Sequence, residues 1–134
     1  MKILLDTHVL VWYFAADEKL SQQARKLITN DEIEIYFSAL AIFEIDLKHA
    51  NRPDVMPFDG DQMREYCRQA GFKELPHNVN HVLEVKKLTR KENTPPHRDP
   101  FDRLMISQAI VESMLFITHD ARIAEYTCPL IYKI

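Results

Sequence analysis

The chain has 134 residues, of which 46% are hydrophobic and 28% charged, a composition typical of one globular domain with a buried core. Its formal net charge of −3 excludes a protein that coats nucleic acid through bulk positive charge, because such binding needs many cations facing phosphates. No apolar run approaches the length of a membrane span, and Asp6 interrupts the N-terminal apolar run too early for a signal peptide. We therefore expect a cytoplasmic protein with a single domain over residues 1–134.

The first part of the chain alternates short apolar runs with helical patterns. The predicted elements are a strand over 2–5, a helix over 7–15, a helix over 21–30, a strand over 33–37 and a helix over 39–50. The first strand is nearly all apolar, as expected for a parallel strand that is buried on both faces. Ser38 is a favourable N-cap for the third helix, and Asn51-Arg52-Pro53 ends it.

The second part of the chain continues the same alternation. The predicted elements are a helix between Gly60 and Gly71, a strand over 72–75, a helix marked by Val79, Val82 and Leu83, a linker over 93–96, a helix from 100 to about 114, a strand over 115–118, a short helix after 120 and a strand over 130–134. Alternating strands and helices predict an α/β fold layered around a mostly parallel sheet.

The sequence DPFDR combines a helix start with two carboxylates. Asp99 is a favoured N-cap residue, the proline after it suits the first helical position, and Asp102 places negative charge near the helix N-terminus. Capping therefore explains both acids without an active site. It does not explain why Asp6, Glu44 and Asp120 also stand at boundaries of apolar segments.

Four acids are predicted to converge at one edge of the sheet. Asp6 and Asp120 follow the ends of two parallel strands, and Glu44 and Asp102 lie near the starts of two helices at that edge. Carboxylates packed together raise one another's pKa values unless a divalent cation occupies the cluster. Oxygen ligands favour Mg²⁺ or Mn²⁺, and such a site suits hydrolysis of a phosphodiester by an activated water. Each acid alone has an ordinary structural role, so only their joint position predicts the site.

Other polar residues near these acids are interpreted as structural. Asp46 lies two residues beyond the helical glutamate and so faces another side of that helix. His77 and His81 have the i, i+4 spacing of a zinc helix, but the glutamate of H-E-x-x-H is absent, which favours surface histidines. His97 and His119 neighbour two of the acids and are interpreted as structural, with a contact to substrate phosphate as the alternative.

The remaining chemistry-bearing residues have open or ordinary interpretations. Cys67 and Cys128 belong to no C-x-x-C pair and are predicted to be small buried hydrophobes rather than a disulfide or a zinc site. Thr7 and Thr118 either orient a carboxylate or water or cap a helix. The basic residues concentrated between 86 and 103 are interpreted as a solvated helix face.

Four segments, LLDTHVLVW, SALAIFEIDLKHA, HRDPFDRLMISQA and FITHDARI, follow one another over nearly the whole chain. Together they resemble the PIN-domain family and, more closely, the VapC-type ribonuclease toxins of bacterial toxin–antitoxin pairs. The resemblance implies an α/β fold in the form of a three-layer α/β/α sandwich with a mostly parallel central sheet. It also implies cleavage of RNA that depends on Mg²⁺ or Mn²⁺, a homodimer, and inhibition by a small VapB-like antitoxin.

The resemblance also carries a set of site residues onto this sequence. Asp6, Glu44, Asp102 and Asp120 match the acids of the family motifs and are implied as catalytic and metal-binding residues. Asp99 precedes the usual third position and is included as a further metal ligand. Between Asp99 and Asp102, the roles of helix cap and metal ligand remain open to exchange or sharing.

Three functional hypotheses are compatible with these patterns. The first is a metal-dependent endoribonuclease that cleaves single-stranded or structured RNA as the toxin of a toxin–antitoxin pair. The second is a PIN scaffold that binds RNA or a protein partner without cleavage. The third, a phosphoacceptor receiver domain, needs a paired acid after the first strand, and the DTH sequence there fits it poorly.

Overall fold

A parallel five-stranded sheet forms the centre of the fold in the computed structural model, which describes residues 1–134. The strands are β1 (Lys2–Leu5), β2 (Glu34–Ser38), β3 (Lys73–Leu75), β4 (Leu115–Thr118) and β5 (Ile131–Lys133). Their order across the sheet is β3-β2-β1-β4-β5, and every pairing is parallel. The order reverses between β1 and β4, so the carboxyl ends of these neighbours frame a crevice of the kind that binds ligands in α/β proteins.

Six α-helices cover the sheet and complete the predicted three-layer α/β/α sandwich. They are α1 (Thr7–Ala15), α2 (Gln22–Ile28), α3 (Ala39–Asn51), α4 (Gly60–Gln69), α5 (Val79–Glu84) and α6 (Pro100–Glu112). Two 3₁₀ turns, Val85–Lys87 and Ile123–Glu125, follow α5 and β4 respectively, and the second stands where a short helix was predicted. None of these helices has the length and apolar character needed to span a bilayer.

The hydrophobic core lies on both faces of the sheet. Consecutive strand residues point to opposite faces, so the complete burial of Ile3, Leu4 and Leu5 means that both faces of β1 are covered. Together with β4 and the inner sides of the helices, these residues belong to one cluster of 27 buried hydrophobic side chains. Cys67 is buried in this cluster as predicted, Cys128 is half-buried, and both are free thiols.

Side-chain caps fix the starts of the two helices that reach the crevice. The Oδ1 atom of Asp99 accepts hydrogen bonds from the backbone N–H groups of Phe101 and Asp102, at 2.9 and 3.1 Å. The hydroxyl of Ser38 accepts from the N–H of Leu40 at 3.0 Å. Both caps confirm predictions made from residue type, and they determine where α6 and α3 begin.

Asp46 joins α3 to α4 and stands apart from the crevice. Its Oδ1 atom accepts a hydrogen bond of 2.5 Å from the N–H of Gly60, the first residue of α4. A Cβ atom at Gly60 would lie 2.7 Å from the same oxygen, so a larger residue there would displace the Asp46 carboxylate. This contact agrees with the interpretation of Asp46 as a structural acid.

Helix α5 forms where predicted, but the residue that it buries is not one of the apolar residues from which the helix was predicted. The large apolar side chains of α5 are exposed: Val79, Val82 and Leu83. The prediction of a surface position for His81 was wrong, because this residue is fully buried. Its Nδ1 atom accepts from the N–H of Asn78 at 3.1 Å, and its Nε2 atom lies 2.9 Å from Glu112 Oε2. With both ring nitrogens bonded, the imidazole can be buried between α5 and α6.

Replacing His81 by leucine is expected to lower the free energy of unfolding by about 2 kcal/mol, because it leaves the Asn78 N–H without its acceptor and removes the bond to Glu112. His77 is the matched control: its ring stacks on that of His81 at 5.9 Å, and its Nε2 atom has no hydrogen-bond partner. We expect His77→Leu to cost less than about 1 kcal/mol. Urea unfolding of both variants measures the difference, and equal losses would contradict the role given to His81.

Candidate functional site

Asp6 lies at the carboxyl end of β1, inside the crevice. Only 2% of its surface is exposed. Its Oδ1 atom accepts from the N–H of Thr7 and its Oδ2 atom accepts from the hydroxyl of Thr118, both at 2.7 Å. Burial, together with the charges of Glu44 and Asp120, raises the pKa of Asp6 to about 6 in spite of these two hydrogen bonds.

Asp102 projects from the first turn of α6 toward the same acids. Burial, together with the negative charges of Asp6, Asp99 and Glu44, raises its pKa to about 8. Its Oδ2 atom lies 3.2 Å from the Nε2 atom of His97. A carboxyl group with this pKa is mostly protonated at pH 7 when no cation is bound.

Glu44 is buried although it lies in the middle of α3. The apolar residues Phe43 and Leu47 of this helix are exposed, whereas Glu44 is only 6% exposed. Its Oε2 atom lies 3.2 Å from Lys48 Nζ, one helical turn away. Its Oε1 atom is buried and has no hydrogen-bond partner, which is uncommon for a carboxylate oxygen in a protein interior.

Asp120 follows β4 and is held by a basic neighbour. Its Oδ1 atom accepts from the N–H of Arg122 at 2.8 Å, and its Oδ2 atom accepts from the guanidinium of the same residue at 2.9 Å. Burial raises the pKa of Asp120, but these hydrogen bonds outweigh it and hold the pKa below its usual value. The N–H of Asp120 donates to the hydroxyl of Thr118 at 3.0 Å, so Thr118 connects Asp120 with Asp6.

The structure brings the four predicted acids to a common space. Asp6, Glu44 and Asp120 each raise the pKa of Asp102, so their charges lie close enough to act on it. Asp99 also contributes to this effect, while its Oδ1 atom caps α6. The capping role of Asp99 is therefore observed, and its role as a metal ligand stays a prediction.

The acids converge without forming a closed metal site. No group of three or more His, Cys, Asp or Glu side chains is arranged so that it could hold a metal ion. Two of the four carboxylates instead contact basic side chains, Glu44 that of Lys48 and Asp120 that of Arg122.

Two observations nevertheless fit a cation among these acids. The raised pKa values of Asp6 and Asp102 reflect buried like charges that a positive ion would stabilise. The Oε1 atom of Glu44 is a buried acceptor without a donor. Because all four side chains offer only oxygen, the donor set suits a hard ion such as Mg²⁺ or Mn²⁺.

Three residues of this site were not assigned to it from the sequence: Lys48, Tyr126 and Arg122. The i, i+4 spacing of Glu44 and Lys48 is a signal that predicts their ion pair. No comparable pattern links Tyr126 to the site. Its hydroxyl lies 3.0 Å from His97 Nδ1 and donates to the His97 carbonyl at 3.1 Å, so one side of the His97 ring has a structural partner. The third residue, Arg122, lies two positions after its partner Asp120, and this spacing also predicts no particular contact.

Replacing Thr118 by valine is expected to lower the free energy of unfolding by about 1–2 kcal/mol, because the Asp120 N–H loses its buried acceptor. It should also raise the pKa of Asp6 above about 6, since the Thr118 hydroxyl bond lowers that pKa. Thr118→Ser keeps the hydroxyl and is the matched control. Thermal unfolding and carboxyl titration by NMR measure both effects; the same Asp6 pKa in the two variants would refute the assigned bond.

A family model and two solved structures match most or all of the chain. The PIN domain family model matches residues 3–127. A crystal structure of VapBC2 from Rickettsia felis, bound to a DNA fragment from its promoter, covers 100% of this chain and 98% of its own, with a TM-score of 0.69 and 14% identity. DNA-bound VapBC from Salmonella typhimurium covers 100% and 97%, with a TM-score of 0.63 and 14% identity. At 14% identity, the likeness to these two structures shows a shared fold. No curated protein matches the sequence.

Proposed function

The chain belongs to the PIN-domain family, and from this premise we propose that it is a metal-dependent endoribonuclease of the VapC type. In this proposal the 134 residues act as one nuclease domain that hydrolyses single-stranded or structured RNA. The observation that carries the proposal is the convergence of Asp6, Glu44, Asp102 and Asp120 on the crevice between β1 and β4. The resemblance to VapC-type nucleases supports the interpretation of that convergence as a catalytic site rather than as a chance cluster of helix caps.

The proposed ligands of Mg²⁺ or Mn²⁺ are Asp6, Glu44, Asp102 and Asp120, with Asp99 as an additional ligand. A bound divalent cation would supply a water of lowered pKa and would stabilise negative charge on the scissile phosphate. The oxygen-only donor set and the unpartnered Oε1 atom of Glu44 support this assignment.

The residues around these acids would orient them before substrate arrives. The Thr118 hydroxyl and the Thr7 N–H hold both oxygens of Asp6. Arg122 fixes Asp120 through its backbone and its guanidinium. Asp102 must lose the proton that it carries at neutral pH before its carboxylate can take part. Such fixed positions reduce the reorganisation that the reaction would otherwise require.

The test is cleavage of a labelled single-stranded RNA by purified protein in Mg²⁺, in Mn²⁺ and in EDTA. We expect shorter products with either cation and intact RNA in EDTA. Intact RNA in all three conditions, with a folded protein, would contradict the proposal. That result would favour a PIN scaffold that binds RNA or a protein partner without cleaving.

We further propose that the partner of this nuclease is a small VapB-like antitoxin and that the protein forms a homodimer. The similar solved structures are VapBC complexes, which supports the first part. The exposed apolar side chains of Phe43 and Leu47 on α3 support an assembly that covers them. Sedimentation of the purified protein measures its mass, and addition of the product of an adjacent small reading frame is expected to stop cleavage.

A further inference from the structure

Three unpaired cations line one surface groove between α5, with the 3₁₀ turn after it, and the start of α6. The groove has a volume of about 520 Å³, and its basic side chains are Lys86, Arg98 and Arg103. None of them forms an ion pair, whereas the adjacent Lys87 lies 3.3 Å from Glu84 Oε2. In a chain of net charge −3, three cations without carboxylate partners in one groove indicate a site for an anion.

Arg103 provides a second, independent sign that the groove takes a ligand. Its Nε atom is buried and has no hydrogen-bond partner. Buried N–H groups in proteins are nearly always paired, because leaving one unpaired costs free energy. An acceptor oxygen from a bound ligand would satisfy the guanidinium of Arg103.

The groove lies at the start of α6, the helix end that also carries two acids of the proposed nuclease site. Arg98 directly precedes Asp99, and Arg103 directly follows Asp102. His97, the residue before Arg98, lies 3.2 Å from the Asp102 carboxylate, so the segment that carries Arg98 reaches the site acids. A strand of linked anions that occupied the groove would therefore continue toward the acids.

Apolar side chains also line the groove, and they restrict the class of anion that fits it. Val82, Val85 and Leu104 line it beside the cations. Single-stranded RNA offers phosphates for the cations together with ribose and base surfaces for apolar walls. An acidic protein segment also carries negative charge, but the position beside a proposed phosphodiesterase site favours RNA.

We propose that the groove of Lys86, Arg98 and Arg103 binds backbone phosphates of single-stranded RNA beside the phosphodiester that is cut. The groove holds the strand and takes no part in the chemistry, so its residues are positioning residues. This inference rests on the proposed nuclease function for its substrate, and it is tested by binding as well as by cleavage.

The test compares wild type with Lys86→Gln/Arg98→Gln, a pair of changes at exposed positions. Binding of a labelled single-stranded RNA in EDTA is measured by fluorescence anisotropy over a range of salt concentrations. We expect Kd at low salt to rise about tenfold and the slope of log K against log salt to fall by about 1.4, since each lost phosphate contact removes about 0.7. In Mg²⁺ or Mn²⁺ the variant should raise KM with little change in kcat.

The matched control is Lys73→Gln/Lys87→Gln, which removes two exposed charges that are already paired with Glu34 and Glu84. Its Kd is expected to stay within about twofold of wild type. Equal Kd values and salt slopes for the two double variants would overturn the groove proposal, even if wild type cleaves RNA.

Two further outcomes separate this proposal from the nuclease function and from a protein ligand. Groove-dependent RNA binding, without cleavage by wild type in either cation, would support the groove and contradict the nuclease function. A labelled polyglutamate peptide is the probe for an acidic protein segment. If Lys86→Gln/Arg98→Gln loses the peptide and retains RNA, the groove is a protein site and the proposal is overturned.

Discussion

Asp102→Asn is expected to slow RNA cleavage at least about a thousand-fold while making the metal-free protein more stable. The loss of activity corresponds to about 4 kcal/mol of transition-state stabilisation, in keeping with removal of a direct ligand of a catalytic cation. The gain in stability arises because asparagine cannot ionise, whereas burial and four neighbouring acids oppose ionisation of Asp102. Opposite effects on activity and stability are typical of residues placed for function.

The sign of the stability effect depends on pH. The pKa of Asp102 rises from its ordinary value of 3.8 to about 8 on folding. A group whose pKa is raised by folding stabilises the fold fully below pH 4, and this contribution is lost as the pH rises through 8. The advantage of Asp102→Asn should therefore be near zero at about pH 4, grow by about 1.4 kcal/mol per pH unit and level off above about pH 8.

Thermal or urea unfolding in EDTA at pH 5, 7 and 9 measures the stability effect, and the RNA assay measures activity. Asp54→Asn is the matched control, because Asp54 is an exposed carboxylate whose contact is with Arg52. It should retain cleavage and show no gain in stability as the pH rises. Cleavage by Asp102→Asn at the wild-type rate would remove Asp102 from the catalytic site, and a less stable variant at pH 9 would refute the electrostatic account.

The elements around the crevice could be predicted because their signals are local. A continuous apolar run marks β1, and it ends at Asp6, whose side chain accepts from the N–H of Thr7 at the start of α1. Ser38 and Asp99 are side chains that cap their own helices, so residue type alone locates the starts of α3 and α6. The convergence of the acids then follows from topology, because parallel strands end at the same edge of a sheet.

Long-range contacts could not be predicted in the same way. The hydroxyl of Thr118 bonds Asp6 across 112 positions, and nothing in either segment selects this threonine over the role of a simple cap. His81 was misplaced because α5 has only six residues, too short for its pattern to define a buried face. Burial of His81 depends instead on Glu112, which α6 brings beside it.

The electrostatic state of the acids was predicted only in part. Four carboxylates at one edge imply raised pKa values, and those of Asp6 and Asp102 are raised. Asp120 behaves differently because Arg122 donates to both of its oxygens. Residue type predicts that acids repel one another, but burial, which raises the pKa values of Asp6 and Asp102, and the donors that Arg122 offers to Asp120 decide which of them retains a proton.

Binding of Mg²⁺ or Mn²⁺ is expected to release close to one proton per protein at pH 7. A carboxyl group with a pKa of about 8 is about 90% protonated at this pH, and one with a pKa of about 6 is about 10% protonated. These are the values of Asp102 and Asp6, so a cation that binds both carboxylates must displace their protons. Isothermal titration in two buffers of different ionisation enthalpy measures the number released.

The same linkage predicts how affinity depends on pH. Between about pH 6 and pH 8 the affinity for the cation should rise by close to tenfold per pH unit, and it should level off above about pH 9 as Asp102 becomes fully ionised. Asp102→Asn should bind more weakly, and its affinity should vary little over this range. Binding by wild type without proton release at pH 7 would mean that the cation does not engage Asp102. The proposed ligand set would then have to be centred on Glu44 and Asp120, the two acids that already face positive charge.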